Sequence, residues 1–280
     1  MNKLSLVALI GMFLFNSCEE EPLPIPMTDP VAPLVDTTYV NSPVSAKQHK
    51  VAMFEEFTGV RCPNCPQGHA VMKAMAATYG DQLVMVSIHD SSQFNQAAPF
   101  KGDVHLSTFW AKQIFTMISK PNGIPYGIVD RLAGDNVSSL WDNLVATRLQ
   151  TPSVANVELK IISFDESTHE LRYEVKFELT EDVNEPLFFS TAISQDSIIG
   201  KQEDGSIVID DYVHNHILRD MPQFSTTLNP TNNPPATKGR VFLKQYIYFM
   251  DPDWVVEHCK LIAYIHKPVE ILQAAEVHIK

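Results

Sequence analysis

Residues 51–57 form a run of large apolar residues broken only by Glu55 and Glu56, and the thiol pair Cys62-Pro63-Asn64-Cys65 follows five residues later. The run reads as a strand. Residues 69–79 beyond the pair read as a helix, built on good formers such as Ala70, Met72, Ala74 and Ala76, with Gly80 as its stop. Two thiols placed where a strand delivers the chain into a helix can exchange with a disulfide. The helix terminus lowers the pKa of the first of them. No basic run occurs, and the net charge is −12 over 280 residues, which argues against a nucleic-acid partner.

The first residues read as a targeting segment. Lys3 precedes an apolar run over residues 4–15 that ends at Asn16-Ser17-Cys18 and is followed by Glu19-Glu20-Glu21. The run is too short to span a bilayer comfortably and suits a signal peptide. It resembles a bacterial lipoprotein signal, in which residues 1–17 are removed and Cys18 becomes the lipidated first residue. An ordinary secretory signal or an uncleaved apolar anchor is the alternative. The body then lies outside the cytoplasm, where disulfides persist. With Cys18 spent on the anchor and Cys259 far off in an apolar strand, Cys62 and Cys65 remain as the natural pair.

Residues 18–46 hold six prolines and little periodicity, as expected of a solvated tether. Residues 47–152 alternate strand, helix and strand, with a near-continuous apolar run at 83–88, a helix over 106–118, a turn into a strand around Ile124-Pro125, and a helix over 138–149. That order predicts an α/β domain. From 153 to 280 the apolar residues alternate with polar ones in several strands without a helix, which predicts an all-β, immunoglobulin-like sandwich. Residues 199–238, rich in Asp, Asn and Pro, read as a long loop or insertion.

Strand, C-x-x-C helix, strand, then Ile-Pro before a further strand resembles the thioredoxin fold. That resemblance implies a role for each residue. Cys62, nearest solvent, is the attacking thiol, with Arg61 adding to the stabilisation of its thiolate. Cys65 is the more buried resolving thiol, and Pro63 sits in the first helical turn. Ile124 and a cis Pro125 stand against the disulfide and bind the substrate chain. Glu56, six residues before Cys62, handles the proton of the second cysteine; its alternative is an exposed carboxylate at a strand edge. For the pair itself three uses stand open: a redox dithiol, a structural disulfide, or a zinc site with His69, which no second Cys pair accompanies. His69 otherwise reads as a helix-surface residue. His214 and His216 share a strand face and invite a metal, but the preferred account is that the segment 212–219 packs a loop against the sandwich through hydrogen bonds. Cys259 reads as a core filler.

Taken together, Phe54-Glu55-Glu56-Phe57-Thr58-Gly59, Cys62-x-x-Cys65-Pro66, Gly123-Ile124-Pro125 with Asp130-Arg131, and Tyr212-Val213-His214-Asn215-His216-Ile217-Leu218-Arg219 resemble the 28-kDa outer membrane protein family of Bacteroidetes lipoproteins. The resemblance implies a lipid-anchored outer membrane protein with a thioredoxin-like domain followed by a β-rich domain. The function expected is thiol–disulfide exchange with a protein substrate and a partner that resets the pair. The rival is a non-enzymatic surface or adhesion protein. No cofactor and no bound metal are expected.

Overall fold

The computed structural model describes residues 32–118, 121–228 and 234–280. The signal segment and Cys18 lie outside the described residues.

Strand β1 (Val35–Val40) comes first in the chain. The α/β part then runs β2 (Ala52–Thr58), α1 (Cys65–Tyr79), β3 (Leu83–His89), α2 (Phe109–Ile118), β4 (Tyr126–Val129), β5 (Ala133–Asp135) and α3 (Trp141–Leu149). Strands β2 and β3 are parallel, β4 is antiparallel to β2, and β5 closes the edge in the order β3-β2-β4-β5. The side-chain period of two divides β2 between two cores. Phe54 packs with Met72, Met75, Trp141 and Val145 beneath α1 and α3. Met53 and Phe57 pack on the other face with Ala111 and Ile114 of α2.

The second half contributes β6 (Ala155–Asp165), β7 (Glu170–Leu179), β8 (Phe188–Gln195), β9 (Ile198–Asp204), β10 (Ile207–His214), β11 (Ile217–Thr227), β12 (Arg240–Phe249), β13 (Cys259–His266) and β14 (Ile271–His278). A four-stranded sheet, β1-β12-β7-β6, faces β8 and β13 across a core that includes Tyr173, Phe177, Phe189, Tyr246, Cys259 and Leu261.

Two expectations are corrected. Residues 35–40 are not tether: Val-Asp-Thr-Thr-Tyr-Val is rich in strand formers and pairs antiparallel with β12 in full register. The described part of the interval 199–238 is not an extended loop either. It carries most of the β9–β10 hairpin and all of β11, and Gln202 and Asp220 in it bind Gly59 and Trp110 of the α/β part.

Strands from both sides of residue 152 belong to one sheet, β14-β13-β8-β11-β3-β2-β4-β5. The junction is the parallel pair Ile217–Ser87, where Ser87 N–H donates to the His216 carbonyl at 2.7 Å. A shared core backs it, since Leu218, Met221, Ile262 and Tyr264 pack in the same cluster as Met53 and Phe57. Buried charge completes the joint. Arg131 Nη2 donates to Glu55 at 2.7 Å and to Tyr264 at 2.9 Å. Asp130 takes Lys50 and Arg148, each at 2.6 Å, and those two cations reach across to the Leu272 and Ile271 carbonyls, both at 3.0 Å.

Candidate functional site

Cys62 and Cys65 are joined in a disulfide with their Cα atoms 5.4 Å apart. Helix α1 begins at Cys65, earlier than its apolar pattern suggests, with Asn64 at the N-cap and Pro66 in the first turn. Pro66, not Pro63, therefore takes the helical position where a missing N–H costs nothing. Cys62 and Pro63 form the turn before the helix; Cys65 N–H donates to the Cys62 carbonyl at 3.1 Å. Because the sulfurs are bonded to each other, the zinc alternative for this pair is not met. Among the described residues no group of three or more His, Cys, Asp or Glu side chains is arranged to hold a metal ion.

Cys62 does not face solvent. It is 3% exposed and Cys65 is fully buried. The cover is the β9–β10 hairpin from the second half of the chain. Glu203 N–H donates to the Val60 carbonyl at 2.8 Å, and Gly205 N–H, in the hairpin turn, donates to the Pro63 carbonyl at 3.0 Å. The buried Gln202 amide donates to the carbonyls of Gly59 and Cys62, both at 3.2 Å. Beneath, Val60 packs with Leu106 and Ile217. The C-x-x-C turn is thus satisfied by backbone donors that arrive more than 130 residues later, which no local pattern could announce. Gln202 carried no sequence signal. Arg61 is likewise engaged elsewhere: its guanidinium donates to the Pro99 carbonyl at 2.7 Å and lies over the Phe100 ring.

Glu56 is fully buried on a central strand, which corrects the strand-edge alternative. It projects to the α1 face, the opposite side from Glu55. Its Oε1 lies 2.7 Å from where a Cβ on Gly68 would stand, one helical turn past Cys65, and this oxygen has no hydrogen-bond partner. Its Oε2 accepts a long bond from the Ser87 hydroxyl at 3.4 Å. Burial without a cation holds the carboxyl well above its ordinary pKa, with Ser87 opposing weakly.

His69 is no free surface residue. Its Nε2 is 3.0 Å from the Thr58 hydroxyl and 3.5 Å from Glu56 Oε2, and its Nδ1 is 2.7 Å from the Tyr212 hydroxyl. Burial, then His214 and His216, push its pKa down to about 3, so the ring is neutral. His214 is buried with both ring nitrogens unbonded and stands edge-to-face with the buried His89 at 6.2 Å between centroids. Burial lowers His214 to about 4 and His89 well below the usual value. His216 takes a left-handed turn conformation, φ 59°, held by its N–H on Asp196 at 2.7 Å. His69, Lys73, Ser87, Tyr212 and His216 line a cleft of about 590 Å³ beside α1.

The Ile124–Pro125 bond is cis. Pro125 and Ile124 line a second groove, of about 550 Å³, together with Asn64 of the C-x-x-C turn. Cys259 is buried at the start of β13 with its thiol pKa pushed up to about 12 by burial, as an inert core thiol is.

No family model and no curated protein sequence matches this chain. Solved structures do. HBP35 of Porphyromonas gingivalis superposes with a TM-score of 0.64 at 16% identity, covering 84% of this chain and 76% of that one. An Agrobacterium tumefaciens protein determined as a structural-genomics target matches with a TM-score of 0.51 at 13% identity, over 83% of this chain and 96% of its own. A domain of the outer membrane lipoprotein Omp28 from Porphyromonas gingivalis aligns with 46% of this chain and 89% of its own at 16% identity and a TM-score of 0.29. At these identities the first two likenesses establish a shared fold.

Proposed function

We propose that this chain is an extracytoplasmic thiol–disulfide exchange protein, with a thioredoxin-like unit over residues 47–152 and an immunoglobulin-like sandwich over 153–280. The observation that carries the reading is the Cys62–Cys65 disulfide at the start of α1 with the buried Glu56, whose Oε1 has no hydrogen-bond partner, under the same helix. A dithiol needs an acceptor for the proton of its second thiol, and a carboxyl whose pKa burial raises is suited to be one. Cys62 attacks a disulfide in a protein substrate, Cys65 resolves the mixed intermediate, and a separate partner resets the pair. Ile124 and Pro125, across the groove from Asn64, offer the substrate chain its seat. The sandwich reading rests on the strand orders β6-β7-β12 and β14-β13-β8, which follow the A-B-E and G-F-C arrangement of that fold.

The sequence around Cys18 and the family resemblance support lipid anchoring at the outer membrane. Among the described residues no helix is long and apolar enough to cross a membrane. Protease shaving of intact cells distinguishes a periplasmic body, which meets folding substrates, from a surface-exposed one.

A second reading, a non-enzymatic surface lipoprotein with a structural disulfide, has one observation in its favour: the hairpin leaves Cys62 3% exposed. Quantitative thiol trapping across redox buffers decides between them. The exchange reading expects a pair reduced by a thioredoxin-type reductant at potentials typical of catalytic dithiols. A pair that stays oxidised to below about −300 mV and ignores that reductant is a staple, and the exchange reading fails.

A further inference from the structure

Thiol exchange at a covered disulfide raises a question of proton traffic. Glu56 is sealed beneath α1, so a proton it takes from Cys65 has no direct way to solvent. The side chains next to it provide one. His69 Nε2 lies 3.0 Å from the Thr58 hydroxyl and Nδ1 lies 2.7 Å from the Tyr212 hydroxyl; in the tautomer whose Nε2 accepts, the ring hydrogen sits on Nδ1 and points at the Tyr212 oxygen. The acceptor nitrogen Nε2 stands 3.5 Å from Glu56 Oε2. Tyr212 is partly exposed and lines the cleft of about 590 Å³.

We propose that His69 and Tyr212 are positioning residues that carry the proton of the resolving thiol from Glu56 to solvent in the cleft beside α1. The inference rests on the exchange reading above. In the resolving step the Cys65 proton passes to the Glu56 carboxylate as Cys65 Sγ attacks Cys62 Sγ. The Cys62–Cys65 bond forms, the Cys62–substrate S–S bond breaks, and the substrate leaves as a thiolate, so the two electrons of the dithiol end on the substrate. Glu56 then gives its proton to His69 Nε2 while His69 Nδ1–H moves to the Tyr212 oxygen and the Tyr212 hydroxyl hydrogen moves to water. The ring relays without becoming an imidazolium, which suits its surroundings: Glu56 and Thr58 face it from β2, Tyr212 and His214 from β10, His216 from the following turn, and Lys73 lies on its own helix. Tyr212 comes from the hairpin that covers Cys62, so the path is complete only when the hairpin is closed on the dithiol.

The test uses the pre-reduced protein carrying Cys18→Ser, so that only the pair and the buried Cys259 hold thiols, and 5,5′-dithiobis(2-nitrobenzoate). The first thionitrobenzoate is released when Cys62 attacks the probe, and the second when Cys65 resolves the mixed disulfide. This parent protein is expected to release two equivalents in two phases. In Tyr212→Phe and His69→Gln the first phase stays within about twofold. The second slows by roughly tenfold to a hundredfold, at or below the lower end of what positioned proton transfer contributes, and its pH profile moves to higher pH. Added imidazole restores the second phase of His69→Ala. A second phase with unchanged rate and pH profile in both variants overturns the relay and leaves the exchange reading standing. Slowing without a pH shift or imidazole rescue marks a packing role and overturns the relay as well. Absence of thionitrobenzoate release from the parent protein overturns both.

Discussion

Gln202 and Cys62 are 140 residues apart in the chain, yet the buried Gln202 amide donates to the Cys62 carbonyl at 3.2 Å. The same amide holds Gly59, so one side chain pins both ends of the turn that carries the first thiol. Gln202→Ala removes hydrogen bonds worth about 1 kcal/mol each. The reduced variant is expected to react with a bulky maleimide at Cys62 several-fold faster than wild type, read by mass shift over time. Equal rates would mean that the hairpin does not control access.

Arg131 and Glu55 form a buried ion pair inside the α/β part, and Arg131 ties that pair to Tyr264 of the second half at 2.9 Å. Both are buried, with Nε to Oε2 at 2.9 Å and Nη2 to Oε1 at 2.7 Å. Arg131→Met leaves an uncompensated carboxylate and is expected to cost about 3–5 kcal/mol in urea unfolding. The double variant Glu55→Leu, Arg131→Met loses less than the sum of the single losses, because neither charge is then stranded. Additive losses would show that the pair is not coupled.

Gly68 is a steric requirement of the site. A Cβ there would meet Glu56 Oε1 at 2.7 Å and the Trp141 ring at 2.8 Å. Gly68→Ala is expected to destabilise by about 1–3 kcal/mol through overpacking, in spite of the better helix propensity of Ala. A stabilised variant in thermal unfolding would contradict the packing described.

Histidines make the fold acid-sensitive. Burial lowers His69 and His266 to about 3 and His214 to about 4, so the unfolded chain binds more protons than the native one once pH falls below about 6.5. Their stabilising contribution is complete above that pH and drains away as pH drops toward 4. Denaturant midpoints between pH 7 and 4 should fall, and His214→Asn should flatten the fall.

Glu56 has the opposite sign. Its folded pKa is raised, so its contribution is complete below about 4.5 and is lost as pH rises through the folded value. Glu56→Gln is therefore expected to gain stability relative to wild type as pH goes from 5 to 8, while its resolving thiol step slows. A constant difference across that range would mean that Glu56 is ionised throughout.

How far the chain could be read depended on how local each determinant was. The α1 helix, the buried β3 run and the thiol pair are written in contiguous residues, and they appear where the pattern places them, except that α1 starts four residues earlier, at Cys65. Glu55 and Glu56 show the limit. They are chemically alike and adjacent, but β2 turns one toward Arg131 and Tyr264 and the other toward α1. The period of a strand says that they part; only packing says which of the two meets a cation.

Residues 35–40 and the described part of 199–238 depart from their linear pattern for a related reason. Their polar content looks like solvated chain, yet their hydrogen bonds run to β12 and to the C-x-x-C turn, contacts that a linear pattern does not encode. By itself, the sequence determined that a strand runs into a C-x-x-C helix, followed by further α/β elements and a set of amphipathic strands. Tertiary structure alone decided that one sheet runs through both halves, that Cys62 lies under a hairpin, and that Glu56, His69 and Tyr212 stand in line. Short-range propensities write the elements, whereas burial and charge depend on which distant residues close over them.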